Sequence, residues 1–117
     1  MKYTYVFLDD IREPIDTYNY SFNPIYIDQK WIVKRSYNEF VEYLSNNDLP
    51  NLISFDHDLG IDDAQLEQSG IDCAKFLINY CLEKNLKLPQ YICHSMNPVG
   101  KKNIIDLLDA FKKFQNN

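Results

Sequence analysis

Cysteine is scarce in this chain and never closely paired. Cys73, Cys81 and Cys93 are the three thiols, an odd number with no CxxC spacing. A disulfide framework or a thiolate zinc site is therefore disfavoured. Cys73 and Cys81 stand at helical spacing and read as small core residues. Long apolar runs are also missing. None approaches the length of a membrane span. The opening "MKYTYVFLDD" lacks the apolar stretch of a signal peptide and reads as a strand. The expected compartment is the cytoplasm, with no membrane partner. Positive charge is the third shortage: Lys and Arg number 12 against 17 Asp and Glu, a net charge of −5. Duplex nucleic acid is then an unfavoured partner, since that affinity comes from neutralising phosphates. A small anionic substrate stays open where a metal or local basic groups offset the acids. Histidine is scarce too, with two copies.

What is present is enough for a core. The 117 residues are 45% hydrophobic and 15% aromatic, which fits one domain over 1–117. No repeat or low-complexity segment interrupts it. Residues 3–8, "YTYVFL", read as a buried strand that Asp9 and Asp10 stop. Residues 31–35, "WIVKR", read as a second strand. Ser36 and Glu39 then have capping-box spacing ahead of a helix over 37–46. Residues 51–55, "NLISF", form a third strand. Ser69 and Asp72 repeat the capping pattern before a helix over 70–84. Residues 90–93, "QYIC", form a fourth strand. Asn97 caps a last helix, with Pro98 in its first turn. The connection over 11–30 shows little helical periodicity and reads as an irregular crossover, with a short strand near 25–28. Alternating strands and helices argue a parallel sheet.

Polar clusters end three of these strands. Asp9 and Asp10 follow the first. Asp56, His57 and Asp58, within "SFDHDLG", follow the third, with Gly60 expected to close a turn. His94 and Ser95 follow the fourth, with Asn97 just beyond. An open parallel sheet gathers such ends on its ligand-binding edge. Both histidines of the chain fall there. Asp9, Asp10 and Asp56 form a candidate set for a hard divalent cation, Mg2+ or Mn2+. His57 and His94 are candidates to act as base and acid on one phosphodiester, since imidazole exchanges protons near neutral pH. Either is also able to ligate a transition metal. Asp58 is a candidate to orient His57, ligate metal or shape the turn.

Arg12 offers a fork for phosphate oxygens or a partner for the nearby acids. Ser95 and Asn97 offer hydrogen bonds to phosphate, or a helix cap in the case of Asn97. Lys101 and Lys102 add positive charge one turn into that helix, or are merely solvated. Asp62 and Asp63 read as loop solvation. Tyr18, Tyr20 and Phe22 offer stacking faces for a base, or an aromatic cover over the core.

The segments "FLDDIREP", "SFDHDLG" and "HSMNPVG", in that order, resemble the signatures of the cyclic-phosphate-processing receiver-like domains, a divergent branch of response-regulator receivers. The likeness spans nearly the whole chain. It implies a flavodoxin-like, mainly parallel four-stranded sheet of order 2-1-3-4 with about three helices. It also implies that Asp9 and Asp10 match the metal-binding acidic pair of receivers. Asp56 matches their phosphoacceptor, and Ser95 their hydroxyl residue. His57, Asp58 and His94 are additions belonging to the cyclic-phosphate branch. A fifth strand ending in lysine, a fifth helix and a first helix are not evident, so ordinary phosphorelay signalling is not expected. The expected function is a metal-assisted phosphoesterase opening a cyclic phosphate, on a cyclic nucleotide or an RNA terminus. His57, His94 and Asp56 are its expected catalytic groups, and Arg12, Ser95 and Asn97 its phosphate-binding groups. The alternatives are a non-catalytic module binding a phosphorylated ligand or a protein partner, and a regulator phosphorylated on Asp56.

Overall fold

The computed structural model describes residues 3–61 and 67–117. Four short strands form one parallel sheet: β1 (Tyr5–Leu8), β2 (Trp31–Lys34), β3 (Leu52–Phe55) and β6 (Gln90–Cys93), in the order β2-β1-β3-β6. Sequence order and spatial order agree with the receiver-like expectation. Between them run α1 (Pro14–Ser21), α2 (Ile25–Asp28), α3 (Tyr37–Asn46) and α4 (Gly70–Lys84), and α5 (Pro98–Gln115) follows β6. A two-stranded antiparallel ribbon, β4 (Asp58–Ile61) with β5 (Glu67–Ser69), leads into α4. None of the described helices is long and apolar enough to cross a membrane.

Side chains alternate across the sheet. Val6, Leu8, Ile53 and Phe55 point to one face. There they pack with Phe40 and Leu44 of α3, Ala74 and Leu77 of α4, and Ile104 and Leu108 of α5. Each of the larger of these side chains is worth about 1.5–3 kcal/mol relative to exposure. Cys73 and Cys81 are buried in this core as free thiols. Phe7 points to the other face, where it meets Tyr26 of α2, Trp31 and His94. Ser54 shares that face and bonds Tyr26.

The helices over 37–46 and 70–84 fall where their periodicity and caps predict. The first crossover does not. The expected irregular segment contains α1, and the expected strand near 25–28 is the single turn α2. That raises the helix count from about three to five among the described residues. The physical reason is that α1 depends on its ends rather than on an apolar stripe. Glu13 and Asp16 cap each other reciprocally, Pro14 occupies the first turn, and Phe22 closes the helix in the left-handed region at φ 56°. Thr17 is its one buried residue. Gly60 also differs from expectation: it lies within β4 rather than closing a turn. Asp62 and Asp63 lie outside the described residues.

Candidate functional site

Parallel pairing sets the ends of β1, β3 and β6 side by side. The backbone continues the ladder past the strands: the Asp56 amide donates to Leu8 and the His94 amide to Phe55, at 3.0 and 2.9 Å. Asp9, Asp56 and His94 thereby converge. One ligand-type atom from each lies within 4.8 Å of the others, and all three residues are buried. Asp10 stands beside this group but outside it, half-buried.

Asp9 is held on every side. Its Oδ1 accepts the amides of Ile11 and Arg12 at 3.0 and 2.9 Å. Its Oδ2 lies 2.9 Å from His94 Nε2 and 3.6 Å from the Arg12 guanidinium. Burial pushes its pKa up, but the His94 bond and the two amides outweigh this and bring it down to about 2. Asp56 behaves oppositely. Burial first, then the neighbouring charge of Asp9, raise it from 3.8 to about 6, against the bond from the His57 amide to its Oδ1. Burial and the charge of Asp9 also raise Asp10.

The two imidazoles occupy different environments. His94 is fully buried in its side chain, with Nε2 on Asp9 and Nδ1 2.7 Å from Ser54 Oγ. Ser54 in turn lies 2.7 Å from the Tyr26 hydroxyl. Phe7 stacks on the His94 ring at 4.3 Å between centroids, and the Tyr20 hydroxyl donates to the His94 carbonyl at 2.5 Å. A continuous chain, Tyr26–Ser54–His94–Asp9, therefore crosses one face of the sheet. His57 is partly exposed. Its Nδ1 pairs with Asp58 Oδ1 at 2.9 Å, and its ring lies against Gly100 of α5. No described hydrogen bond engages its Nε2.

Arg12 is half-buried between Asp9 and Met96, with its guanidinium 5.5 Å over the Tyr20 ring. Its own carbonyl is fixed by Arg35 at 2.6 Å. Asn97 does cap its helix: its Oδ1 accepts the Gly100 amide at 3.0 Å. Ser95 is buried and its Oγ accepts the Asn97 amide at 3.1 Å, which leaves its proton available. Lys102 pairs with Asp106 on the surface. Of the aromatics, Tyr20 reaches the site and Phe22 is exposed. Sequence reasoning assigned no role to Ser54. Its one signal is a hydroxyl within a strand that is otherwise apolar and buried at every position.

The family model for the cyclic-phosphate processing Receiver domain matches residues 4–110. The chain belongs to this family. No curated protein matches it. Similar solved structures include the following two. A fusion carrying a yeast Spc42 trimeric coiled coil matches at 13% identity and TM-score 0.51, covering 98% of this chain and 78% of that one. The N-terminal domain of a response regulator/sensory box/GGDEF 3-domain protein from Carboxydothermus hydrogenoformans matches at 14% identity and TM-score 0.49, covering 97% of this chain and 96% of that one. At such identities likeness concerns fold alone. Within the cyclic-phosphate processing receiver frame, Asp9 and Asp56 end adjacent strands, and His57 and His94 flank them.

Proposed function

We propose that this receiver domain is a metal-assisted phosphoesterase that opens a cyclic phosphate diester, such as a 2′,3′-cyclic phosphate on a nucleotide or an RNA end. The convergence of Asp9, Asp56 and His94 at three strand ends carries the reading. The donor set fits a divalent cation. Two buried carboxylates lie close enough for one to raise the other, a cost that a cation would relieve. Asp9 and Asp56 would hold the ion, with Asp10 adjoining. Oxygen ligands suit Mg2+ or Mn2+. When bound, the ion would polarise a phosphate oxygen and offset its charge.

The remaining work falls to side chains. The Arg12 fork and the Ser95 hydroxyl would bind the non-bridging oxygens. Asn97 would serve by holding the start of α5 in place. His57, with Nδ1 held by Asp58, would take a proton at Nε2 from the attacking water. As the water oxygen bonds to phosphorus, the bond from phosphorus to one ring oxygen breaks. That oxygen takes a proton from solvent and His57 releases its own to solvent, leaving a phosphomonoester and a free hydroxyl. His94 has both nitrogens engaged. We assign it to fixing Asp9 rather than to proton exchange with substrate, which replaces a symmetric pair of imidazoles with a division of labour.

The test is turnover of 2′,3′-cyclic mononucleotides with Mg2+ or Mn2+. His57→Ala should reduce kcat by about 10²–10⁴. Binding without turnover would favour a non-catalytic module. A stable label on Asp56 from acetyl phosphate would favour a phospho-accepting regulator.

A further inference from the structure

A cavity of about 540 Å³ opens beside the edge strand β6, between α1 and α5. Its size falls within the roughly 300–1,000 Å³ of small-molecule pockets. Ile92 and Ile105 give it an apolar floor, and Tyr20 an aromatic wall. Its polar groups are mixed in kind. Asn23 uses its Oδ1 on the Ile25 amide, so its amide N–H groups remain to donate. Lys101 brings an ammonium, and Ser95 a hydroxyl proton.

The cavity adjoins the strand-end site through shared residues. His94 and Ser95 line it, while His94 Nε2 bonds Asp9. Tyr20 is shared too, since its ring lies under the Arg12 guanidinium that approaches Asp9. A ligand with phosphate at Arg12 would therefore extend its body past Ser95 into the cavity. An apolar floor with an aromatic wall suits a flat ring. Asn23 and Lys101 suit hydrogen-bond acceptors at that ring's edge.

We propose that the cavity between α1 and α5 receives the nucleoside part of a single nucleotide whose cyclic phosphate lies at the strand ends. The inference rests on the phosphoesterase reading for its phosphate site and adds where the rest of the nucleotide is held.

The experiment is an NMR titration of the unaltered protein with adenosine 2′,3′-cyclic phosphate, and separately with inorganic phosphate. The nucleotide should shift the methyl signals of Ile92 and Ile105, and inorganic phosphate should not. A nucleotide that leaves both methyls unmoved overturns the proposal. So do shifts of the same methyls on concentrating the free protein alone, which would assign the cavity to a second copy. Filling the cavity with Ile105→Trp should weaken the nucleotide by about tenfold more than phosphate, the scale of one stacked base. The two readings fail separately. Methyl shifts without turnover in Mn2+ support the cavity and sink hydrolysis. Hydrolysis of a base-free ribose cyclic phosphate at the nucleotide's kcat/KM keeps hydrolysis and sinks the cavity.

Discussion

Asp56 and Asp9 stand close together yet respond to pH in opposite senses. Asp56 is raised from 3.8 to about 6, chiefly by burial and then by Asp9. Between those values the folded chain keeps a proton that the unfolded chain has released. Stability therefore falls as pH rises through the window, and the cost is complete above about 6. Asp56→Asn removes this cost while its amide oxygen still accepts from His57. The variant should melt higher than the parent at pH 7.5, by something on the order of 2–3 kcal/mol. The difference should shrink toward zero near pH 4, and thermal melts at the two pH values check it. Asp9 is lowered from 3.8 to about 2 despite its burial. Its contribution is present above 3.8 and fades as pH falls through about 2. Asp9→Ala strands the Ile11 and Arg12 amides and the Nε2 of His94. Denaturant unfolding at pH 7 should show a loss of about 2–4 kcal/mol.

Among the elements, two glycines fix how closely the ribbon and helices approach the site. A Cβ at Gly70, the first residue of α4, would overlap the backbone carbonyl of Asp56. Gly70→Ala should destabilise by about 1–3 kcal/mol or more, because neither backbone gives way easily. A Cβ at Gly100 would instead overlap the His57 ring and crowd its Cβ, so the catalytic side chain itself must shift. Gly100→Ala should thus change stability less and reduce turnover more, a contrast that paired melts and kinetics will read. The elements also show where sequence is legible. α3 and α4 carry apolar stripes and caps, so both appear at their expected bounds. α1 buries only Thr17 and signals itself through Glu13, Pro14 and Asp16, which a search for periodicity passes over. The β4–β5 ribbon is equally quiet, since its three-to-four-residue strands include Asp, Glu, Gln and Ser and are defined by pairing with each other.

For the whole molecule, the parallel order β2-β1-β3-β6 turns distant sequence into one site. Apolar runs that stop at acids or histidine made the strand ends visible in advance. That Asp9 and Ser54 would both bond His94 was not visible, since the bonds join residues 40 and 85 apart in the chain. Those bonds depend on the register between β1, β3 and β6, strands far apart in the chain. Divalent cations should raise the melting temperature of the domain at pH 7 by relieving Asp9 and Asp56, and EDTA should reverse the gain. Asp56→Asn should abolish most of that response. The most direct measurement is turnover of a 2′,3′-cyclic mononucleotide with and without Mn2+, for the parent and for His57→Ala. Ring opening should depend on the cation and fall by about 10²-fold or more in His57→Ala, with little change in melting temperature. Full turnover in that variant, or none by the parent with either Mg2+ or Mn2+, would contradict the phosphoesterase reading.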